Sequence, residues 1–151
     1  MKDRPIHIKA VLFQLLGTVV QQRQLAEKEL KAGIGCPLEI ALFDYIQNLP
    51  KPSKRKQILS ELEDLELKAA RKLDPDAAFL KTIPYLISKN LRLGMISTIS
   101  AKASRHVVRN FKSIPSANIE VVISRDEFWQ HAPEANLIDI AAEKMDVAVE
   151  N

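Results

Sequence analysis

The chain opens on an apolar run and then changes rhythm several times. Residues Ile8 to Leu15 (IKAVLFQL) are mostly hydrophobic, include β-branched and aromatic members and stop at Gly17-Thr18, which predicts a buried strand followed by a turn. From Val20 to Leu73 the chain is rich in Leu, Glu, Lys and Ala, and it breaks only at Gly33-Ile34-Gly35, at Pro37 and at Pro50-Lys51-Pro52. That pattern predicts three helices with short joints. In the third, Ile58, Leu62, Leu65 and Ala69 recur at helical spacing, and Ser53 is the expected N-cap.

Asp74-Pro75-Asp76 restarts the chain, with Asp74 as a cap and Pro75 at a first helical position where its missing N–H is not needed. A helix to about Lys89 follows. Leu91 to Ser97 (LRLGMIS) reads as a second strand, and Thr98-Ile99-Ser100 as a turn whose Ser100 caps a helix through Asn110. Ile119 to Ile123 (IEVVI) is a third strand. Ser124-Arg125-Asp126-Glu127 has the form of a capping box, and Pro133 opens a last helix with Leu137, Ile140, Ala141 and Met145 on one side. Strands alternating with helices predict an α/β domain: a Rossmann-like parallel sheet of about three strands with flanking helices. The helical stretch at 20–74 is expected to form a small separate subdomain, with 1–19 and 75–151 as the core.

Composition narrows this picture. A chain of 151 residues with 46% hydrophobic and 27% charged residues is enough for one compact domain. The 22 basic and 19 acidic side chains leave a net charge of only +3, and the run Lys51 to Lys56 (KPSKRK) supplies most of the excess. No aromatic residues sit among those charges to stack bases, so the run reads as a solvated loop and helix start, not a nucleic-acid surface. Cys36 is the single cysteine, without a CxxC or His partner nearby, which excludes an intrachain disulfide and fits a reducing cytoplasm. Lys2, Arg4 and Lys9 before Ala10 to Val20 imitate a signal peptide. Gln14 interrupts that stretch, no A-x-A-like site follows, and the run is too short to span a bilayer, so neither secretion nor a membrane span is expected.

Three ordered segments resemble the haloacid dehalogenase (HAD) superfamily over nearly the whole chain. IKAVLFQLLGTVV is similar to that family's first motif, a strand ending in hhhDxDGT. LRLGMISTIS resembles the second motif, a strand ending in Thr or Ser, and VVISRDEFWQHAPEANLIDIAAEKMDV resembles the third-motif region, where a turn leads to Lys-Pro and a helix. The insert at 20–74 and the run LDPDAAFLKTIPYLISKNLRLG after it resemble the helical cap and its return to the core.

The resemblance implies a set of site positions, most of them altered in this sequence. The nucleophilic Asp falls at Gln14, the acid/base Asp at Leu16 and the phosphate-binding Lys at Ala132, beside a retained Pro133; the motif-two hydroxyl is kept as Ser97, with Thr98 where Asn is common. A phosphoryl group is attacked by an ionised carboxylate while Mg²⁺ and a lysine neutralise its oxygens. Gln14 is a neutral amide, Leu16 transfers no proton, and Ala132 carries no charge. His131 and Glu134 flank the vacated position and read as surface groups at a helix start, and Asp3, Asp126 and Glu127 as solvent-facing or capping groups. The expectation is therefore a non-catalytic HAD-like domain, a pseudoenzyme acting as a binding or protein-interaction module. The alternative is a HAD-like phosphohydrolase with an atypical site. No cofactor is expected; Mg²⁺ belongs only to the alternative. Gly17, Thr18, Ser97 and Thr98, at the carboxyl ends of neighbouring strands, are candidates to hold a small anion.

The family's fourth motif, an acidic pair on a further strand, has no counterpart before Asn151. Without that strand the Ile8 to Leu15 strand is expected at a sheet edge, and an apolar edge with free backbone groups invites pairing. The expected cover is a homodimer contact along this strand or a partner protein that adds strands to it.

Overall fold

The computed structural model describes residues 7–21, 27–110, 118–126 and 136–149. Three strands, β1 (Ala10–Gln14), β2 (Arg92–Ile96) and β3 (Ile119–Ile123), form a parallel sheet in the order β1-β2-β3. Parallel neighbours need long crossovers. Between β1 and β2 the chain makes α1 (Glu27–Ile34), α2 (Leu42–Gln47), α3 (Pro52–Ala70) and α4 (Ala77–Ser88); α5 (Ala101–Asn110) joins β2 to β3, and α6 (Leu137–Met145) follows. The α/β class and the three parallel strands agree with the sequence pattern. Within the described residues β1 is an outer strand.

The central strand carries the core. Leu93 and Met95 of β2 are fully buried and pack in one cluster with Leu15, Val19, Ile83 and Val107. Phe13 of β1 meets Phe79 of α4 edge to face, with centroids 5.0 Å apart. A Cβ on Gly94 would stand 2.7 Å from Leu12 Cδ2 and 3.2 Å from Met145 Sδ, so the bare position lets α6 settle against the sheet.

A second cluster lies within the helical insert. Leu30, Ile34, Cys36, Ile46, Ile58 and Leu62 are buried together, contributed by α1, α2, α3 and the turn after α1. The two clusters meet along α3, whose last residue, Ala70, belongs to the first. The stripe that α3 buries runs Ile58, Leu62, Glu66, Ala70, a strict four-residue repeat that passes through a carboxylate. Leu65 and Ala69, expected on that face, are only half-buried.

Several expected caps fall elsewhere. Ser53 lies inside α3, which starts with Pro52 at its first position and Lys51 as an N-cap lacking a side-chain bond. The proline fixes the entry, so the cap moves ahead of it. Asp74 and Pro75 also precede their helix: α4 starts at Ala77, and Asp76 accepts from Ala78 N at 3.0 Å and Phe79 N at 3.4 Å. Asp76 wins because its own N–H is held by Val19 O at 2.7 Å, which ties the cap to the turn after β1. The last helix is capped by Asn136, which accepts from Ile138 N and Asp139 N; Pro133, expected to open it, lies outside the described residues, as does Glu127 of the expected capping box. Ser100 caps α5 as expected, accepting from Ala103 N at 3.2 Å.

Candidate functional site

The site is built where β1 and β2 end. Gln14 pairs with Ile96 in register, and Leu15 N donates to Ile96 O at 2.8 Å, so the residues after the two strands emerge side by side. A tight turn follows β1. Gly17, at φ +103°, donates to Val20 O at 2.7 Å, and Val20 N returns to Leu15 O at 2.9 Å. Leu15, Val19 and Val20 are fully buried and anchor this turn, which leaves Gln14, Gly17 and Thr18 exposed.

Ser97 points inward. Its Oγ accepts from Ile99 N at 3.2 Å and stands 2.9 Å from Ser104 Oγ, while its N–H donates to Ile123 O at 2.7 Å. Thr98, next to it, is exposed. The four residues expected to gather around a small anion are thus divided: Ser97 and Thr98 line a cleft, whereas Gly17 and Thr18 lie outside its described lining.

That cleft, about 920 Å³, opens between the strand ends and the helical insert. Leu16, Thr98 and Ile99 form one wall; Leu42, Phe43 and Leu62 form the other. At its inner end lie two charged residues that the motifs did not single out. Arg125, just after β3, donates from Nη1 to Glu66 Oε2 at 2.7 Å and from Nη2 to Glu66 Oε1 at 2.8 Å, and both side chains are buried. Ser100 N, at the start of α5, donates to Glu66 Oε1 at 3.3 Å. Burial pushes the Glu66 carboxyl up from its ordinary value, and the Arg125 guanidinium and the Ser100 N–H draw it back down. The signal that marks Glu66 is its place on the apolar four-residue repeat of α3; nothing local marks Arg125.

At the strand ends, where the motif resemblance would put the acids of a Mg²⁺ site, stand the Gln14 amide and the Leu16 side chain, and no three His, Cys, Asp or Glu side chains gather among the described residues. Those residues do not fit the ion. Ala132, Pro133, His131 and Glu134 lie outside the described residues, as does Asp3; Asp126 is exposed. No helix among the described residues is long and apolar enough to cross a membrane.

Comparison with known structures gives the fold its place. The chain matches a Bacteroides fragilis protein provisionally assigned as a haloacid dehalogenase-like hydrolase, with a TM-score of 0.70 and 14% identity over 94% of this chain and 75% of the other. The fold is that of the haloacid dehalogenase-like hydrolases. CbbY from Rhodobacter sphaeroides, solved in complex with phosphate, matches with a TM-score of 0.67 and 16% identity over 93% of this chain and 74% of its own. A curated relative, an uncharacterized hydrolase of Saccharomyces cerevisiae, is 21% identical over 142 residues, 93% of this chain. The chain spans 65% of that relative's length. No family model matches. In this HAD-like frame Gln14 is the last residue of the first strand and Ser97 the first after its neighbour, the two places at which the motif resemblance put the nucleophile and the hydroxyl.

Proposed function

We propose that this chain is a HAD-like domain that binds a small organic molecule between its helical insert, at 20–74, and its core. The observation that carries the reading is the cleft itself, about 920 Å³ and walled by both parts, of a size that encloses a small ligand. Transfer through an aspartyl phosphate is not part of this reading. The nucleophile's position is an exposed amide at Gln14, the acid/base position is the half-buried Leu16, and the Ser97 hydroxyl is engaged by Ile99 N inside the fold. Such losses each commonly cost orders of magnitude in rate.

The names of the similar proteins favour a second reading, a HAD-like hydrolase that works through groups other than Gln14 and Leu16. A generic aryl phosphate and a panel of aryl esters, each with and without Mg²⁺, separate the two. Turnover that survives repeated purification and is lost when cleft residue Thr98 is replaced establishes the hydrolase. Saturable ligand uptake without turnover establishes the binding domain. A contact along β1, with a second copy or with another protein, is also proposed, because its outer edge is free within the described sheet. Sedimentation that shows no association at any concentration removes the homodimer.

A further inference from the structure

The inner end of the cleft already holds an anion, and it belongs to the protein. Glu66 reaches across from α3 and accepts one N–H from each of Arg125 Nη1 and Nη2 and the N–H of Ser100. A carboxylate held by an arginine fork is the arrangement that would otherwise receive a ligand's carboxylate or phosphate. Both side chains are buried, so the pair is shielded from water and its charges cancel at close range. Among the described lining residues the remaining charges are Glu27, Lys28 and Glu29, all exposed at the start of α1, and the rest of the walls is mainly apolar.

We propose that Glu66 acts as the resident anion of the cleft, so that the cleft selects uncharged, mainly apolar molecules and turns away phosphate esters. The proposal rests on the cleft as a ligand site. A phosphate entering next to Arg125 meets a guanidinium whose charge Glu66 already neutralises, and displacing that carboxylate leaves it buried without its counter-charge. A neutral molecule leaves the pair intact and gains from covering Leu42, Phe43, Leu62 and Ile99. Selectivity in this cleft is thus set by an ion pair that the ligand does not break.

Nile red, which is neutral and apolar, and inorganic phosphate are the two probes. Nile red fluorescence and phosphate-dependent melting, against chloride at matched ionic strength, are measured on the wild type and on Glu66→Gln. The wild type takes up Nile red and does not respond to phosphate, whereas Glu66→Gln, with Arg125 released, binds phosphate about tenfold or more tightly than the wild type. The double variant Glu66→Gln/Arg125→Gln keeps Nile red and loses the gain. Should Glu66→Gln fail to fold, Glu66→Met, close in volume and uncharged, takes its place with the same expectation. Equal responses of wild type and variant to phosphate, whether both bind or neither does, overturn the proposal and leave the cleft standing. Nile red that finds no site in any of these proteins overturns the cleft reading itself and this proposal with it.

Discussion

Glu66 and Arg125 stand 59 positions apart in the chain and meet in a two-bond ion pair, at 2.7 and 2.8 Å, between the helical insert and the end of β3. Removing one partner of such a pair strands the other. Arg125→Ala is expected to cost about 3–5 kcal/mol of unfolding free energy, read by urea denaturation at neutral pH. In that variant the Glu66 pKa rises well above its unfolded value. Its penalty is therefore complete above the folded pKa and shrinks as the pH falls through it, when the carboxyl takes up a proton. The gap between variant and wild type should narrow in acid. Replacing both residues, Glu66→Leu with Arg125→Met, should cost far less than Arg125→Ala, since no charge is left unpaired. Equal losses for the single and double variants would show that the pair is not what binds α3 to the core.

The sheet was readable because each strand is a short apolar run closed by a turn signal, and because strands alternating with long helical stretches point to parallel pairing. The ion pair was not. Glu66 lies among Glu61, Glu63 and Asp64 on a helix whose charges look like a solvated face, and its partner lies in a different element. Only the repeat Ile58, Leu62, Glu66, Ala70 separates it from them. Composition also fails to decide between Asp74 and Asp76 as the cap of α4, since both precede apolar residues. The Val19 carbonyl, which binds Asp76 N, is a tertiary contact. At the strand ends the identities of Gln14 and Leu16 were plain in the sequence, whereas the inward turn of Ser97 depends on Ser104, seven positions away.

The turn after β1 stores a backbone demand at one residue. Gly17 sits at φ +103°, a conformation that side chains rarely adopt, although nothing lies within 4 Å of where its Cβ would be. The cost of Gly17→Ala is therefore conformational, about 1–3 kcal/mol. Chemical denaturation should show that loss, with the far-ultraviolet circular dichroism spectrum unchanged. A variant as stable as the wild type would mean that the turn relaxes to a negative φ.

Asp76 gives the fold a pH dependence whose sign is set. Hydrogen bonding from Gln21 Nε2 first, and then from Ala78 N and Phe79 N, holds its carboxyl below its ordinary value of 3.8. A group whose pKa is lower when folded adds stability that is present above its unfolded value and is lost as the pH falls through the folded one. Asp76→Ala should melt at a lower temperature than the wild type at neutral pH, and the two curves should converge in strong acid. Asp76→Asn keeps an oxygen for the cap and should recover most of the loss at neutral pH. A difference between wild type and Asp76→Ala that is constant with pH would place the effect in packing, not in the ionised cap.

Ala41 offers a way to close the cleft without touching its inner end. It is exposed, precedes α2 as an N-cap with no side-chain bond, and contributes to the cleft lining. The position therefore tolerates bulk on the solvent side. A tryptophan there spreads a large apolar surface over the space that a ligand would occupy. Ala41→Trp is expected to weaken Nile red uptake by about tenfold while shifting the melting temperature little, because Ala41 is exposed and its side chain makes no capping bond that the change could remove. Arg125 and Glu66 remain paired in this variant, so its response to phosphate should match the wild type's. Undiminished dye uptake in Ala41→Trp would place the binding surface elsewhere on the molecule.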